Sequence, residues 1–232
     1  MTASDRVIVA LDFDTNAQAL RLVALLGDEA SFYKVGLQLL TAEGPALVRQ
    51  LVAQGKQIFL DLKLHEIPHS VAGAVAAAGA LGVSMVTVHA MGGSAVLRAA
   101  VEAARPFPRL RVLALTVITS LHNDDLAELG IAARVDEQVT RLAQLAAAAG
   151  CHGVVASPQE AARLRAQLPH GMLIVTPGTQ LPGDAPTDQA RTATPAEAFR
   201  AGSTHLVIGR AIAHAADPKA AFLSVCAAAP HV

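Results

Sequence analysis

The chain is poor in the residues that most often announce a special chemistry. Its 232 residues include no tryptophan, one tyrosine, six phenylalanines and two cysteines, and its formal net charge is −1. The cysteines, Cys151 and Cys226, lack the CxxC spacing of a metal or redox pair. They fit a reducing cytosol, although spacing alone leaves a disulfide open. A near-neutral chain provides no field to gather nucleic acid or an anionic membrane. Arg98, Arg105, Arg109 and Arg111 have no interleaved aromatics and fit the surface of a helix and the start of the strand after it. The opening Met1-Thr2-Ala3-Ser4-Asp5-Arg6 has no secretory pattern, so a cytoplasmic location is expected. No Pro/Gly/Ser-rich linker or shift in composition marks a boundary, and residues 1–232 read as a single domain.

What the chain does have is apolar residues, at 53% of the total, enough for a large core. Residues 71–88 carry no charge over 18 positions, long enough to suggest a membrane span. The run is mostly Ala and Gly, however, and Gly82 divides it into a helix-like half and a β-branched half. A buried helix followed by a buried strand is the better reading. Short apolar runs of the same kind recur at 7–13, 32–36, 57–64, 85–90, 112–118, 153–156, 173–176 and 205–209. Nearly continuous apolar strands are expected in a parallel sheet covered on both faces.

Between these runs stand helix signals. Ser157-Pro158 with Glu160, and Thr194-Pro195 with Glu197, combine an N-cap, a proline at the first helical position and a capping-box acid. Asp217-Pro218 opens a last helix in the same way, and Gly55, Gly82, Gly150 and Gly202 stand where helices should stop. Eight strands alternating with about eight helices predict a (β/α)8 TIM barrel, with an open doubly wound sheet as the alternative. Leu11-Asp12-Phe13-Asp14, after the first strand, has no glycine and so no dinucleotide fingerprint. Pro177 to Ala193 form the longest irregular stretch and are expected to be an active-site loop.

In such a barrel the chemistry lies at the C-terminal ends of the strands. Asp12, Lys34, Asp61 and Lys63 gather there from the first three strands, with Glu66 just beyond. Period-two alternation puts Asp61 and Lys63 on one face and Leu60, Leu62 and Leu64 on the other. Burying an acid and a base together carries a desolvation cost, so they mark either a structural ion pair or catalysis. Three charged strand ends at one mouth favour catalysis. Later strands add His89, Thr119 with Ser120, Pro177 with Gly178, and Gly209 with Arg210. The mouth near the last two strands is the usual phosphate site, where Gly209 allows close approach, Arg210 supplies a fork, and Gln189 lies in the preceding loop. A Schiff-base lysine must be neutral to attack. Lys63 beside carboxylates suits a charged proton donor instead.

Taken in order, seven pieces make the chain resemble the orotidine 5′-phosphate decarboxylase family over nearly its whole length. They are Val9-Ala10-Leu11-Asp12, Tyr33-Lys34-Val35-Gly36, Asp61-Leu62-Lys63-Leu64-His65-Glu66-Ile67-Pro68, Val88-His89-Ala90, Leu115-Thr116-Val117-Ile118-Thr119-Ser120, Thr176-Pro177-Gly178 and Val207-Ile208-Gly209-Arg210. The resemblance implies conversion of orotidine 5′-phosphate to UMP in pyrimidine synthesis, without metal or organic cofactor. It also implies a homodimer with sites at the subunit interface. By position, Lys34, Asp61 and Lys63 form a charged array that Glu66 of the partner subunit completes, and Lys63 protonates C6. Asp12, with Ser70 of the partner subunit, binds ribose hydroxyls; Thr119 meets the pyrimidine edge; Gln189, Gly209 and Arg210 hold the phosphate.

The chain departs from the familiar pattern in places. Glu66 stands where aspartate is usual, Ser70 for threonine and His69 for asparagine. Thr179-Gln180-Leu181 replaces Ile-Arg-Pro and removes one cation from the phosphate region. Two other functions compete with this one. A related decarboxylase of 3-keto-L-gulonate 6-phosphate uses magnesium and an acid where this chain has Lys34. A phosphate-ligand binder without catalysis needs no acid–base alternation. His65 and His69 are four apart, but Pro68 between them falls at a helix start, so no zinc site is expected. His89 is expected to be a supporting or core histidine.

Overall fold

Eight parallel strands pair in chain order, and the last closes on the first, in the computed structural model of the chain. The structure describes residues 2–179 and 192–230. The strands are β1 (Val7–Ala10), β2 (Phe32–Gly36), β3 (Gln57–Leu64), β4 (Met85–His89), β5 (Arg111–Leu115), β6 (Gly153–Val155), β7 (Leu173–Thr176) and β8 (His205–Ile208). Around them lie α1 (Asn16–Leu26), α2 (Leu37–Glu43), α3 (Ala46–Ala53), α4 (Pro68–Ala80), α5 (Gly93–Ala104), α6 (Asn123–Glu128), α7 (Val135–Ala148), α8 (Pro158–Gln167), α9 (Pro195–Arg200), α10 (Arg210–Ala213) and α11 (Pro218–Ala227). The chain is a (β/α)8 TIM barrel.

Local chemistry explains the helix boundaries. The boxes at Ser157/Glu160 and Thr194/Glu197 form as expected, and the Asp217 carboxylate accepts the Ala220 N–H at 3.0 Å. Among the described residues there are eleven helices rather than about eight, because some connections break in two. Between β2 and β3, Gly44 takes φ 67° and ends α2, and Pro45 leads into α3. The uncharged run at 71–88 divides as expected into most of α4, a turn and most of β4. Among the described residues no helix is long and apolar enough to cross a membrane.

Two apolar layers result from the alternation along each strand. One set packs with the helices and includes Val9, Tyr33, Val35, Leu60, Val86, Val88 and Ala114. The other contains no helix residue: Ile8, Phe32, Phe59, Met85, Leu113, Leu115, Val155 and Val175 fill the lumen. This packed interior directs the chemistry to the strand ends. Two strands stop well short of their apolar runs. β1 stops at Ala10 and β5 at Leu115, rather than at 13 and 118, yet Leu11 and Val117 remain buried. Apolar runs report burial, and burial outlasts strand pairing. Thr179 and Ala193 form an isolated bridge that brings together the two ends of the long loop; residues 180–191 within it, including Gln180 and Gln189, lie outside the described residues.

Candidate active site

On β2, β3 and β4 the lumen face continues from apolar to polar. Two residues beyond Phe32 comes Lys34, beyond Phe59 comes Asp61, and beyond Met85 comes Thr87. The Lys34 side chain is only 12% exposed, and its ammonium donates to Asp12 Oδ1 at 2.7 Å. On β3, Lys63 Nζ donates to Asp61 Oδ2 at 2.8 Å. Register connects the two pairs: Gly36 lies opposite Asp61 on β3, and a Cβ placed on Gly36 would sit 3.4 Å from Lys34 Nζ. The bare glycine leaves room for that ammonium beside the third strand. Two acid–base pairs from three successive strand ends therefore share the mouth, as the charge pattern predicted. Lys34 takes Asp12 as its direct partner.

Lys63 reaches Asp61 by a route that simple alternation does not give. The β3–β4 register runs from Leu60 opposite Val86 to Leu64 opposite Val88, four steps on one strand against two on the other. Lys63 takes up the excess with φ 51°, the only positive φ at a non-glycine among the described residues. That conformation costs about 1–2 kcal/mol for a residue with a Cβ. Its backbone N–H donates to Thr87 Oγ1 at 2.9 Å, and the same hydroxyl donates to Asp61 Oδ1 at 2.8 Å. The strained lysine is thus secured at both ends, by an ion pair at the ammonium and a hydrogen bond at the backbone.

The other expected residues divide into those beside the pairs and those apart from them. A Cβ on Gly209 would lie 3.5 Å from Ala10 Cβ and 3.8 Å from Asp12 Oδ2, so the end of β8 closes on the Asp12–Lys34 pair. Arg210 follows as the exposed first residue of α10, and Thr119 is buried beyond the end of β5. Glu66 and Ser70 are exposed. Hydrogen bonds from the Ser70 hydroxyl and then the Ile67 N–H hold the Glu66 carboxyl below its usual range. Within one chain, then, Glu66 is engaged by its own segment.

His89 stacks on His65 at the same rim, ring centroids 5.2 Å apart, and its Nδ1 accepts the Met91 N–H at 3.2 Å. Burial above all, then the neighbouring His65 and Lys63, depress its pKa to about 4. The ring is a neutral support, as expected of a histidine at this strand end. Among the described residues no cluster of three His, Cys, Asp or Glu side chains could hold a metal.

Comparison with known proteins decides among the activities such a mouth could serve. The family model described as orotidine 5′-phosphate decarboxylase / HUMPS family matches residues 5–225. A protein from Anaeromyxobacter dehalogenans (strain 2CP-1 / ATCC BAA-258) named orotidine 5′-phosphate decarboxylase is 48% identical over 227 residues, covering 98% of this chain and 99% of its own. One of the same name from Synechococcus sp. (strain CC9605) is 49% identical over 232 residues, covering 96% and 95%.

The chain belongs to the orotidine 5′-phosphate decarboxylase / HUMPS family.

The crystal structure of orotidine 5′-phosphate decarboxylase from Lactobacillus acidophilus superposes with a TM-score of 0.86 at 36% identity, covering 96% of this chain and 97% of that one. Against the family resemblance, the geometry adds one residue that the sequence reading passed over. Thr87 touches both members of the β3 ion pair. The alternation Met85-Val86-Thr87-Val88-His89 held the signal, since it places a polar side chain on the lumen face level with the charges.

Proposed function

We propose that the chain decarboxylates orotidine 5′-phosphate to UMP as a cytoplasmic homodimer, with residues 1–232 as one catalytic domain and Lys63 as the acid that protonates C6. The Lys63–Asp61 pair on the lumen side of the mouth, in a chain of this family, carries the reading. The bond from C6 to the carboxylate breaks, CO2 leaves, and the electron pair left on C6 takes a proton from the Lys63 ammonium. An ammonium held in place before reaction stabilises charge as it develops at C6, without reorganising at that moment. Asp61 orients the donor, and Lys34 with Asp12 forms the neighbouring pair, Asp12 exposing its carboxylate to the ribose hydroxyls. Thr119 faces the pyrimidine edge. Gly209, Arg210 and Gln189 hold the phosphate, whose binding energy orders the site.

The dimer reading rests on Glu66 and its surroundings. Exposed apolar residues follow three successive strand ends on this rim: Ile67 after β3, Met91 after β4 and Ile118 after β5. A second copy packed on this face buries them and brings Glu66 and Ser70 to the other protomer's charged pairs. Free cysteines at 151 and 226 support a cytoplasmic location.

The test is to add orotidine 5′-phosphate and follow the change in ultraviolet absorbance as UMP forms. Turnover in excess chelator is expected. No turnover of this nucleotide, with magnesium-dependent turnover of 3-keto-L-gulonate 6-phosphate, would move the chain to the sugar-phosphate branch of its family.

A further inference from the structure

The geometry points to Thr87 as a positioning residue for the proton donor, an inference that rests on the role proposed for Lys63. Its side chain is fully buried on β4 and makes two hydrogen bonds through one oxygen. The hydroxyl donates to Asp61 Oδ1 at 2.8 Å, and one of its two lone pairs accepts the Lys63 N–H at 2.9 Å. The two roles constrain each other. A hydroxyl has one proton, so donation to the carboxylate turns the oxygen's acceptor side toward the lysine backbone.

Both contacts fall where the sheet gives no help. Because four steps on β3 pass two on β4, Lys63 lies in the excess and its N–H goes to a side chain rather than to a strand carbonyl. Thr87 therefore takes the place of a ladder bond at the one non-glycine residue with positive φ among those described. It fixes the backbone from which the ammonium starts and the carboxylate on which the ammonium ends. Asp61 Oδ2 then meets Lys63 Nζ at 2.8 Å, closing a ring of three side chains and one backbone amide. The hydroxyl is buried beside the pair and acts on the reaction only through Asp61 and Lys63.

Three variants test this. Thr87→Val keeps the shape and removes the hydroxyl, Thr87→Ala removes it without a bulky replacement, and Thr87→Ser keeps it without the methyl. For loss of a charge-assisted hydrogen bond, kcat in Thr87→Val should fall roughly 10- to 100-fold. KM for orotidine 5′-phosphate and Kd for UMP should stay within about 2-fold, because the phosphate contacts are untouched. Thr87→Ser should restore kcat to within about 3-fold of the parent, since it supplies the same donor and acceptor. If Thr87→Val fails to fold, as read from its thermal melt, Thr87→Ala is read in its place.

A folded variant lacking the hydroxyl that keeps the parental kcat overturns the inference. So does a Thr87→Ser that loses as much as Thr87→Val, which would make the methyl's packing the cause. A change confined to KM also overturns it. If the parent itself leaves orotidine 5′-phosphate intact, the proposed function falls and takes this role with it; if the parent turns over and the variants follow it, only the role of Thr87 falls.

Discussion

Glu66 gives the sharpest test of a site built from two chains. Its carboxylate is exposed and engaged by the Ser70 hydroxyl and the Ile67 N–H, while Lys63 turns back to Asp61 at 2.8 Å. If Glu66 serves the other protomer, Lys63→Ala and Glu66→Ala damage different sites of a mixed dimer. Each variant alone should be crippled, Lys63→Ala by about 10²–10⁴-fold as a lost general acid. Glu66→Ala should lose about 10²–10³-fold as a lost electrostatic partner. In a mixed dimer, one site combines an intact Lys63 with an intact Glu66 of the partner subunit, and the other carries both lesions. Random reassociation of equal amounts makes half the dimers mixed, so about a quarter of all sites are restored. The assay separates the chains in mild denaturant, lets them reassociate, and follows orotidine 5′-phosphate by absorbance. The mixture should reach about a quarter of the parental rate, far above either variant. A double variant mixed with parent chains gives mixed dimers with no intact site, the opposite of what a site within one chain would give. A mixture as slow as its components, with mixed dimers verified by mass spectrometry, would refute the arrangement.

Three further outcomes are expected. Arg210→Ala should weaken UMP binding by about 1.5–3 kcal/mol, the worth of a charge-assisted hydrogen bond, and titration calorimetry with uridine as control will detect it. Arg6 is buried, donates to the carbonyls of Thr204, Ser203 and Pro230 at 3.0, 3.2 and 3.4 Å, and lies 4.5 Å from the Phe199 ring centroid. Replacing Arg6 with Met should therefore cost about 2–4 kcal/mol in urea denaturation, with kcat unchanged at the far end of the barrel. Burial depresses both His89 and His205 to about 4, below the ordinary 6.5. The unfolded chain then binds more protons than the folded one, so stability falls as pH drops from about 6.5 toward 4 and levels off below. In His205→Phe, thermal melts across that window should depend less on pH; an unchanged acid slope would contradict the assignment.

Much of the barrel could be read in the sequence because parallel strands covered on both faces must be apolar throughout. Strand ends are less legible: Leu11 and Val117 are buried by packing although the strands have already ended. The charged residues of the site were visible for a related reason, since an acid or base inside an apolar strand is costly and stands out. Their pairing was not visible. Whether Lys34 meets Asp12 or Asp61 depends on how three strands align, and no single segment encodes that. The turn at Lys63 was hidden for another reason. A glycine there would have advertised left-handed backbone, whereas a lysine holds the conformation only because Thr87, distant in sequence, accepts its amide. Glu66 is legible as an acid, but the second chain on which we propose it acts is encoded in no single segment.

The packed lumen governs traffic as well as shape. Phe32, Phe59, Met85 and their neighbours form a buried apolar floor across the barrel. Among the described residues, carbon dioxide released above that floor meets buried apolar side chains on the way to the opposite face. The open route is the rim by which the nucleotide arrives, so substrate entry and the departure of both products share one passage.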